Sequence, residues 1–110
     1  MIEEIQEHFE NEYPREGCGI VGVVKGKKRW FPCRNIAEND DDFVMSSEDY
    51  FNVVKHCDIL AIVHSHPNSS NEASKSDIDY CNALGVPYWI FSYPDMDLNV
   101  INPEVLKSPL

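Results

Sequence analysis

The chain has 110 residues, which is the length of a single ordinary domain and leaves no room for a second. Because 43% of the residues are hydrophobic, they can fill a core, and intrinsic disorder is excluded. Nine Lys and Arg against nineteen Asp and Glu give a formal charge of −10, which makes nucleic acid and anionic membranes poor partners.

Membrane spans and export signals are not predicted. The longest purely apolar run, Ile59 to Val63, has five residues, whereas a membrane helix needs ~20. Met1 is followed by glutamates instead of the basic residues of a signal peptide. The four cysteines form no Cys-x-x-Cys pair, so a zinc ribbon and a thioredoxin motif are excluded, and free thiols are favoured over disulfides. These features predict a soluble, cytoplasmic protein.

The first predicted element is an amphipathic helix at the amino terminus. Ile2, Ile5 and Phe9 recur at helical spacing, with glutamates between them. Because a proline disfavours helical backbone in the preceding residue, the helix is predicted to end before Pro14.

A β-hairpin is predicted next. Residues 19–24 are rich in β-branched side chains, 25–28 resemble a turn, and 29–34 form a returning strand interrupted by Pro32. Residues 35–42 are acidic and almost without apolar side chains, which predicts a surface loop before a short extended piece at 43–45.

A second helix is predicted to begin at Ser46 or Ser47 and to run to about His56. A serine three residues before an acidic residue resembles a capping box. The apolar side chains at helical spacing are Tyr50, Phe51, Val54 and Cys57.

Strands and a helix alternate in the rest of the chain. Residues 59–63 are continuously apolar, as in a strand buried on both faces at the centre of a sheet. A third helix begins at Ser74 and ends at Gly85, and strands follow at 87–93 and 98–102. The predicted fold is therefore α/β, with a mixed β-sheet flanked by helices. The apolar face of the third helix is predicted to consist of Ile78, Cys81 and Leu84.

Two histidines directly follow the apolar strand and point to chemistry. Residues two apart in an extended chain share a face, so His64 and His66 face one point, with Ser65 as a spacer. Imidazoles bind zinc, and Asp77, in the first turn of the third helix, is the candidate third ligand. Two His and one Asp leave a fourth position for water, as in catalytic zinc sites.

A zinc-bound water also needs a general base. Glu16 is the preferred candidate because it lies between Pro14 and Gly19, at the start of the first core strand. Spacing alone does not bring Glu16 to the histidines, and eighteen other acidic residues stay open as alternatives.

These residues resemble a known motif. The segments 64–67 and 14–19, together with Ser74 and Asp77, are similar to the motif of the JAB1/MPN/Mov34 metalloenzyme (JAMM) family. The resemblance implies a cytidine-deaminase-like fold and a zinc peptidase. It assigns zinc binding to His64, His66 and Asp77, the general base to Glu16, and oxyanion stabilisation to Ser74. A plain helix cap is the alternative role of Ser74.

A second resemblance covers nearly the whole chain. Segments 16–19, 30–36, 48–50, 62–67 and 86–89 are similar to the amino-terminal domain of the lambda-type phage tail assembly protein K family. It implies phage tail proteins as partners, the bacterial host cytoplasm as location, and a following peptidase domain of the NlpC/P60 type. Residues 1–102 would then form the JAB domain, and 103–110 a tail or the start of a linker.

Two other functions stay open. One is a binding module that keeps the fold and docks onto tail proteins without cleaving them. The other is a peptidase that trims small ubiquitin-like or sulfur-carrier proteins.

Overall fold

The structure is a computed structural model that describes residues 1–40 and 42–104. The described residues form three helices and five strands. The helices are α1 (Ile2–Glu12), α2 (Ser47–Val54) and α3 (Lys75–Leu84). The strands are β1 (Cys18–Val24), β2 (Lys27–Cys33), β3 (Asp58–Pro67), β4 (Tyr88–Tyr93) and β5 (Leu98–Ile101).

The five strands form one sheet in the order β2-β1-β3-β4-β5, so the apolar strand β3 lies at its centre. β3 and β4 are parallel because α3 crosses over between them, whereas the other neighbours are antiparallel. Pro32 lies in the edge strand β2, where a missing N–H costs no ladder hydrogen bond. The mixed α/β fold predicted from the sequence is confirmed.

Helices cover both faces of the sheet. α1 packs Ile5 and Phe9 against one face, where Val63 of β3 lies. On the other face, Val53 of α2 and Cys81 of α3 pack around Ile62 of β3. β3 is therefore buried on both sides, as its continuous apolar run predicts.

The strand that carries the histidines is longer than predicted. β3 does not end at Val63 but continues to Pro67, because β4 runs beside it and pairs His64 with Ile90 and Pro67 with Tyr93. The histidines therefore lie inside the sheet, on a rigid element.

The buried faces of α2 and α3 also differ from the prediction. α2 ends at Val54 and buries Val53, whereas Phe51 is 62% exposed. In α3 the buried residues are Asp77 and Cys81, one turn apart. Ile78 and Leu84 flank this line and are 45% and 46% exposed, so they do not form the core face.

The cysteines agree with the prediction of free thiols. All four lie in the described part of the chain and are unpaired, and Cys57 is half-buried while the other three are buried. Burial, reinforced by the charge of Asp49, raises the pKa of the Cys33 thiol to about 12.

The remaining predictions concern membrane spans, the acidic loop and the carboxyl-terminal tail. Among the described helices, none is long and apolar enough to cross a membrane. Asp41 of the predicted loop, and residues 105–110 of the predicted tail, lie outside the described residues.

Candidate metal centre

Three donor side chains meet where β3 and the first turn of α3 face each other. His64 and His66 share one face of β3, and their Nε2 atoms lie 3.2 Å apart. Asp77 Oδ1 lies 3.1 Å from His64 Nε2, and Asp77 Oδ2 lies 3.2 Å from His66 Nε2. His64 is fully buried and Asp77 is only 5% exposed, so water screens these contacts weakly.

The start of α3 orients Asp77. Ser74 is the N-cap residue, and its Oγ accepts a hydrogen bond from the Asp77 N–H at 3.1 Å. In return, the Ser74 N–H donates to Asp77 Oδ2 at 3.0 Å, which completes a capping box. The cap leaves Asp77 Oδ1 directed at His64.

The two imidazoles are held in different ways. His66 Nδ1 lies 2.9 Å from the Ser70 carbonyl oxygen, so this nitrogen carries a proton. Nε2 faces Asp77 and offers its lone pair to a metal when His66 is a neutral imidazole. The His64 ring stacks on Phe43 with 4.3 Å between the ring centroids. His64 Nδ1 is buried and has no hydrogen-bond partner among the described residues, so packing fixes this ring.

Electrostatics favour the protonation state that a metal ligand needs at Asp77 and His64, but oppose it at His66. Burial alone would raise the pKa of Asp77, but hydrogen bonds from His64 and His66 lower it far below its usual value. Burial lowers the pKa of His64. Burial also opposes the charge of His66, yet its contacts with Asp77 and Ser70 and the nearby charge of Glu16 raise its pKa. Asp77 is thus a carboxylate and His64 a neutral imidazole.

Glu16 lies beside this centre. β1 pairs antiparallel with β3, with Cys18 opposite His64, and this register carries the preceding residues toward the histidines. Glu16 is buried, and a carboxylate oxygen lies within 4.8 Å of a ring nitrogen of each histidine. The structure therefore brings together all five residues that the sequence singled out, since Ser74 and Glu16 line the same cleft.

Two residues that hold the Glu16 segment were missed by the sequence analysis. Ser65, predicted to be a spacer, accepts a hydrogen bond from the Gly17 N–H at 2.8 Å. Asn35, placed in the surface loop, donates to the Glu16 carbonyl at 2.8 Å. Both contacts join residues far apart in the chain, and no local pattern signals them.

The arrangement fits a zinc ion. Two imidazoles bound to one tetrahedral zinc at ~2.0–2.1 Å have nitrogens about 3.3 Å apart, close to the 3.2 Å between the Nε2 atoms of His64 and His66. Two carboxylates are within reach: Asp77 contacts both imidazoles, and a Glu16 oxygen lies within 4.8 Å of a ring nitrogen of each. A metal can therefore be bound by His64 and His66 together with Asp77, with Glu16, or with both.

The centre opens into a cleft. Its volume is about 580 Å³, and its walls include Glu16, His66, Ser74 and Asp77. Acidic residues of the loop after β2 also reach it, among them Asp42. A segment of another polypeptide can therefore reach the donors.

One relative in sequence is the tail tip assembly protein K of Escherichia phage N15. It is 42% identical over 104 residues, which cover 94% of this chain. The match covers 43% of the phage protein, so the chain spans less than half the length of this relative.

Solved structures share the fold. The protein DSY2949 from Desulfitobacterium hafniense aligns with a TM-score of 0.75 at 24% identity, covering 99% of this chain and 90% of that one. AF2198, a JAB1/MPN domain protein from Archaeoglobus fulgidus, aligns with a TM-score of 0.59 at 19% identity, covering 92% and 81%. A structure described as JAMM, a metalloprotease-like zinc site in the proteasome and signalosome, gives 0.55 at 18% identity, covering 99% and 87%.

A match to a family model shows to which protein family the chain belongs. The model that describes prokaryotic homologues of the JAB domain matches residues 1–101, nearly the whole chain. The sheet order and the helices on both faces agree with the JAB1/MPN and JAMM structures. The chain belongs to the family of prokaryotic homologues of the JAB domain.

Proposed function

We propose that this chain is a zinc-dependent peptidase that hydrolyses an amide bond, either peptide or isopeptide. The observation that carries the proposal is the convergence of His64, His66 and Asp77 within 3.1–3.2 Å of one another. Glu16 lies beside them in a cleft that is open to a substrate.

The metal would be held by His64, His66 and Asp77, which leaves one tetrahedral position for water. When bound, zinc supplies a Lewis acid that polarises a carbonyl and lowers the pKa of water from ~15.7 toward ~7. The zinc site described for the JAMM structure of the same fold supports this choice of metal.

Glu16 is proposed as the general base. Its carboxylate, within 4.8 Å of ring nitrogens of His64 and His66, can take a proton from the attacking water. It then passes this proton to the leaving amine, so the proton removed from water ends on the new amino group.

Ser74 is proposed to stabilise the developing oxyanion. A hydroxyl has one proton to donate and two sites that accept. As helix cap, Ser74 Oγ uses an accepting site for the Asp77 N–H. Ser76 Oγ, the neighbouring hydroxyl, is 3.5 Å away, a weak contact. The Ser74 proton is thus available to an oxyanion, and capping and oxyanion stabilisation are compatible.

We further propose that the substrate or partner is a phage tail protein in the bacterial host cytoplasm. The name of the N15 relative, a tail tip assembly protein, supports this setting. Residues 1–102 would be the peptidase domain of a longer protein, with a linker to a further domain of the NlpC/P60 type beginning near residue 103.

A non-cleaving binding module is the second candidate. It is favoured by the distance of Glu16, which is near enough to both imidazoles to act as a fourth ligand beside Asp77. A closed set of four protein ligands is typical of structural zinc sites and leaves no position for water.

Metal content is the first experiment. The chain is purified without added metal beside His64→Ala and the control His56→Ala, which changes an exposed histidine outside the cleft. We expect one zinc per chain in the wild type and the control, and none in His64→Ala. A chain that holds no zinc and takes up none on titration contradicts the proposal.

Cleavage is the second experiment. The zinc-loaded chain is incubated with purified tail proteins, and new termini are sought by mass spectrometry. New termini that are absent with Glu16→Gln support the peptidase. A stable complex with a tail protein whose mass never changes supports the binding module instead.

A further inference from the structure

We propose that the groove between α2 and α3 is a specificity pocket for a large apolar side chain of the substrate, next to the bond that is cleaved. The recognised segment is an extended polypeptide in which this apolar residue is flanked by basic residues. The inference rests on the proposed peptidase function.

The groove is apolar and open. It has a volume of about 250 Å³ and is lined by residues of both helices and of the sheet between them. Phe51, Tyr80 and Leu84 in its walls are 62%, 58% and 46% exposed, although they are large apolar side chains. Its other lining residues are Phe43, Val44, Met45, Ser47, Tyr50, Ile62 and Tyr88. Exposed apolar surface of this kind typically marks a binding site.

The groove adjoins the cleft of the candidate metal centre. Phe43, Val44 and Tyr80 line both the groove and the cleft that contains Glu16 and Asp77. Phe43 also contacts the metal centre itself, because its ring stacks on the buried imidazole of His64. An extended chain advances ~3.3 Å per residue. A peptide with its carbonyl at the metal centre therefore reaches the groove with a side chain adjacent to the reacting bond.

The charge of the cleft determines which residues of the substrate can flank its apolar residue. Four acidic side chains line it, and none of its described lining residues is Lys or Arg. The whole chain carries a charge of −10. Bound zinc would offset two of these charges, and Asp40 and Asp42 then repel acidic residues of a substrate and attract basic ones. The acidic lining residues are Glu16, Asp40, Asp42 and Asp77.

Binding of three labelled peptides to the full zinc-loaded chain tests this inference without requiring cleavage. Each has a glycine and serine background and a fluorescein label. The first carries one leucine flanked by two arginines, the second has serine for the leucine, and the third has glutamates for the arginines. Fluorescence polarisation is expected to show binding of the first at least about ten-fold tighter than that of the second, as the burial of a leucine side chain predicts. The third peptide is expected to bind more weakly than the first because the acidic cleft repels its glutamates.

Matched variants locate the binding. Leu84→Glu places a charge in the groove and is expected to weaken binding of the first peptide by about ten-fold or more. Ile78→Glu is the control, because Ile78 is on the same helix with equal exposure but does not line the groove. Phe51→Glu tests the opposite wall, and circular dichroism checks that every variant is folded.

Several outcomes overturn the inference. Equal affinity for the three peptides does so, as does equal binding by wild type, Leu84→Glu and Phe51→Glu. Sedimentation that shows a dimer dissociated by Leu84→Glu would mean that a second copy occupies the groove. Zinc content of the same samples separates the two proposals: peptide binding without zinc contradicts the peptidase alone, and zinc without peptide binding contradicts the pocket alone.

Discussion

Ser65 Oγ accepts a hydrogen bond from the Gly17 N–H at 2.8 Å, and the Ser65 N–H donates to the Gly17 carbonyl at 3.0 Å. This buried pair joins the strand of the histidines to the segment of Glu16. A side chain at Gly17 would displace the buried Phe9 ring of α1, because a Cβ there would lie 2.7 Å from this ring. The residue between the two histidines thus fixes where the proposed base lies.

Ser65→Ala is expected to reduce cleavage while zinc stays bound. The Gly17 N–H loses its acceptor, which costs about 1–3 kcal/mol of the free energy of unfolding, and Glu16 is less well placed. Denaturant unfolding measures the free energy of unfolding, metal analysis measures the bound zinc, and a cleavage assay measures turnover. Ser46→Ala is the matched control: it removes another buried serine oxygen that accepts a backbone N–H, at the cap of α2. A control that loses as much turnover would contradict a specific role of Ser65.

Asn35→Ala is expected to destabilise the fold and to lower turnover. The Asn35 amide donates to the carbonyls of Glu16 and Asp42 and accepts from the N–H groups of Ala37 and Val44, at 2.8–3.0 Å. Leaving these buried groups unpaired costs about 2–4 kcal/mol.

The control for Asn35 is Asn99→Ala, whose side chain makes one hydrogen bond within residues 1–40 and 42–104, to the Asn71 carbonyl. We expect it to cost about 0.5–1.5 kcal/mol with normal turnover. Thermal unfolding and turnover of both variants are compared. Normal turnover in a folded Asn35→Ala protein would show that the amide is not needed to place Glu16.

Glu16→Gln and Asp77→Asn are expected to separate the base from the ligand. Asp77→Asn removes a charged ligand and weakens zinc binding about ten-fold or more. Glu16→Gln keeps zinc and lowers turnover by about 10²–10⁴-fold, the usual contribution of general acid–base catalysis. Titration calorimetry measures the zinc affinity of each variant and a cleavage assay its turnover, with Asp79→Asn on the exposed side of α3 as control. If Glu16→Gln loses zinc and Asp77→Asn retains it, the assigned roles are wrong.

Zinc affinity is expected to fall on acidification through neutral pH. Burial opposes the raised pKa of His66, but its contacts with Asp77, Ser70 and Glu16 prevail, so the proton stays bound to a higher pH than the usual ~6.5. Zinc must displace this proton, and its affinity drops up to about ten-fold per pH unit below that pKa. Zinc titrations from pH 8 to 5.5 measure the slope. A His8→Ala control should behave like wild type, and a flat profile in the wild type would contradict the prediction.

The metal-free protein is expected to show the opposite trend in stability. A raised pKa of His66 stabilises the fold below the unfolded value of ~6.5, and this stabilisation is lost as pH rises through the folded pKa. The lowered pKa of Asp77 stabilises the fold above ~3.9 and is lost on acidification through the folded pKa. The lowered pKa of His64 has the opposite effect, but only up to the unfolded value of ~6.5. With EDTA, Tm should therefore decline from pH 7 to 8, and zinc should reverse the decline.

Variants of Ser74 are expected to separate capping from catalysis. Ser74→Ala loses the cap, at a cost of about 1 kcal/mol, and the hydroxyl proton. Ser74→Asp keeps a capping oxygen but has no proton to donate, so stability recovers and turnover does not. Ser74→Thr retains both functions. Full turnover by Ser74→Asp would limit this residue to capping.

Local features of this protein follow from the sequence alone. The spacing of Ile5 and Phe9 determines α1, and Ser74 with Gly85 determines the limits of α3. The alternation of side chains along a strand places His64 and His66 on one face. These features depend on neighbours within one or two turns, so a single stretch of sequence contains the information.

Only the tertiary structure determines which residues distant in the chain come into contact. The pairing of β1 with β3 carries Glu16 to the histidines, and the parallel neighbour β4 extends β3 beneath them. Packing of α2 on the sheet buries Val53 and leaves Phe51 exposed, although both are apolar. Strand register and helix orientation depend on contacts across the whole core, and the local pattern of side chains is the same whichever partner is chosen.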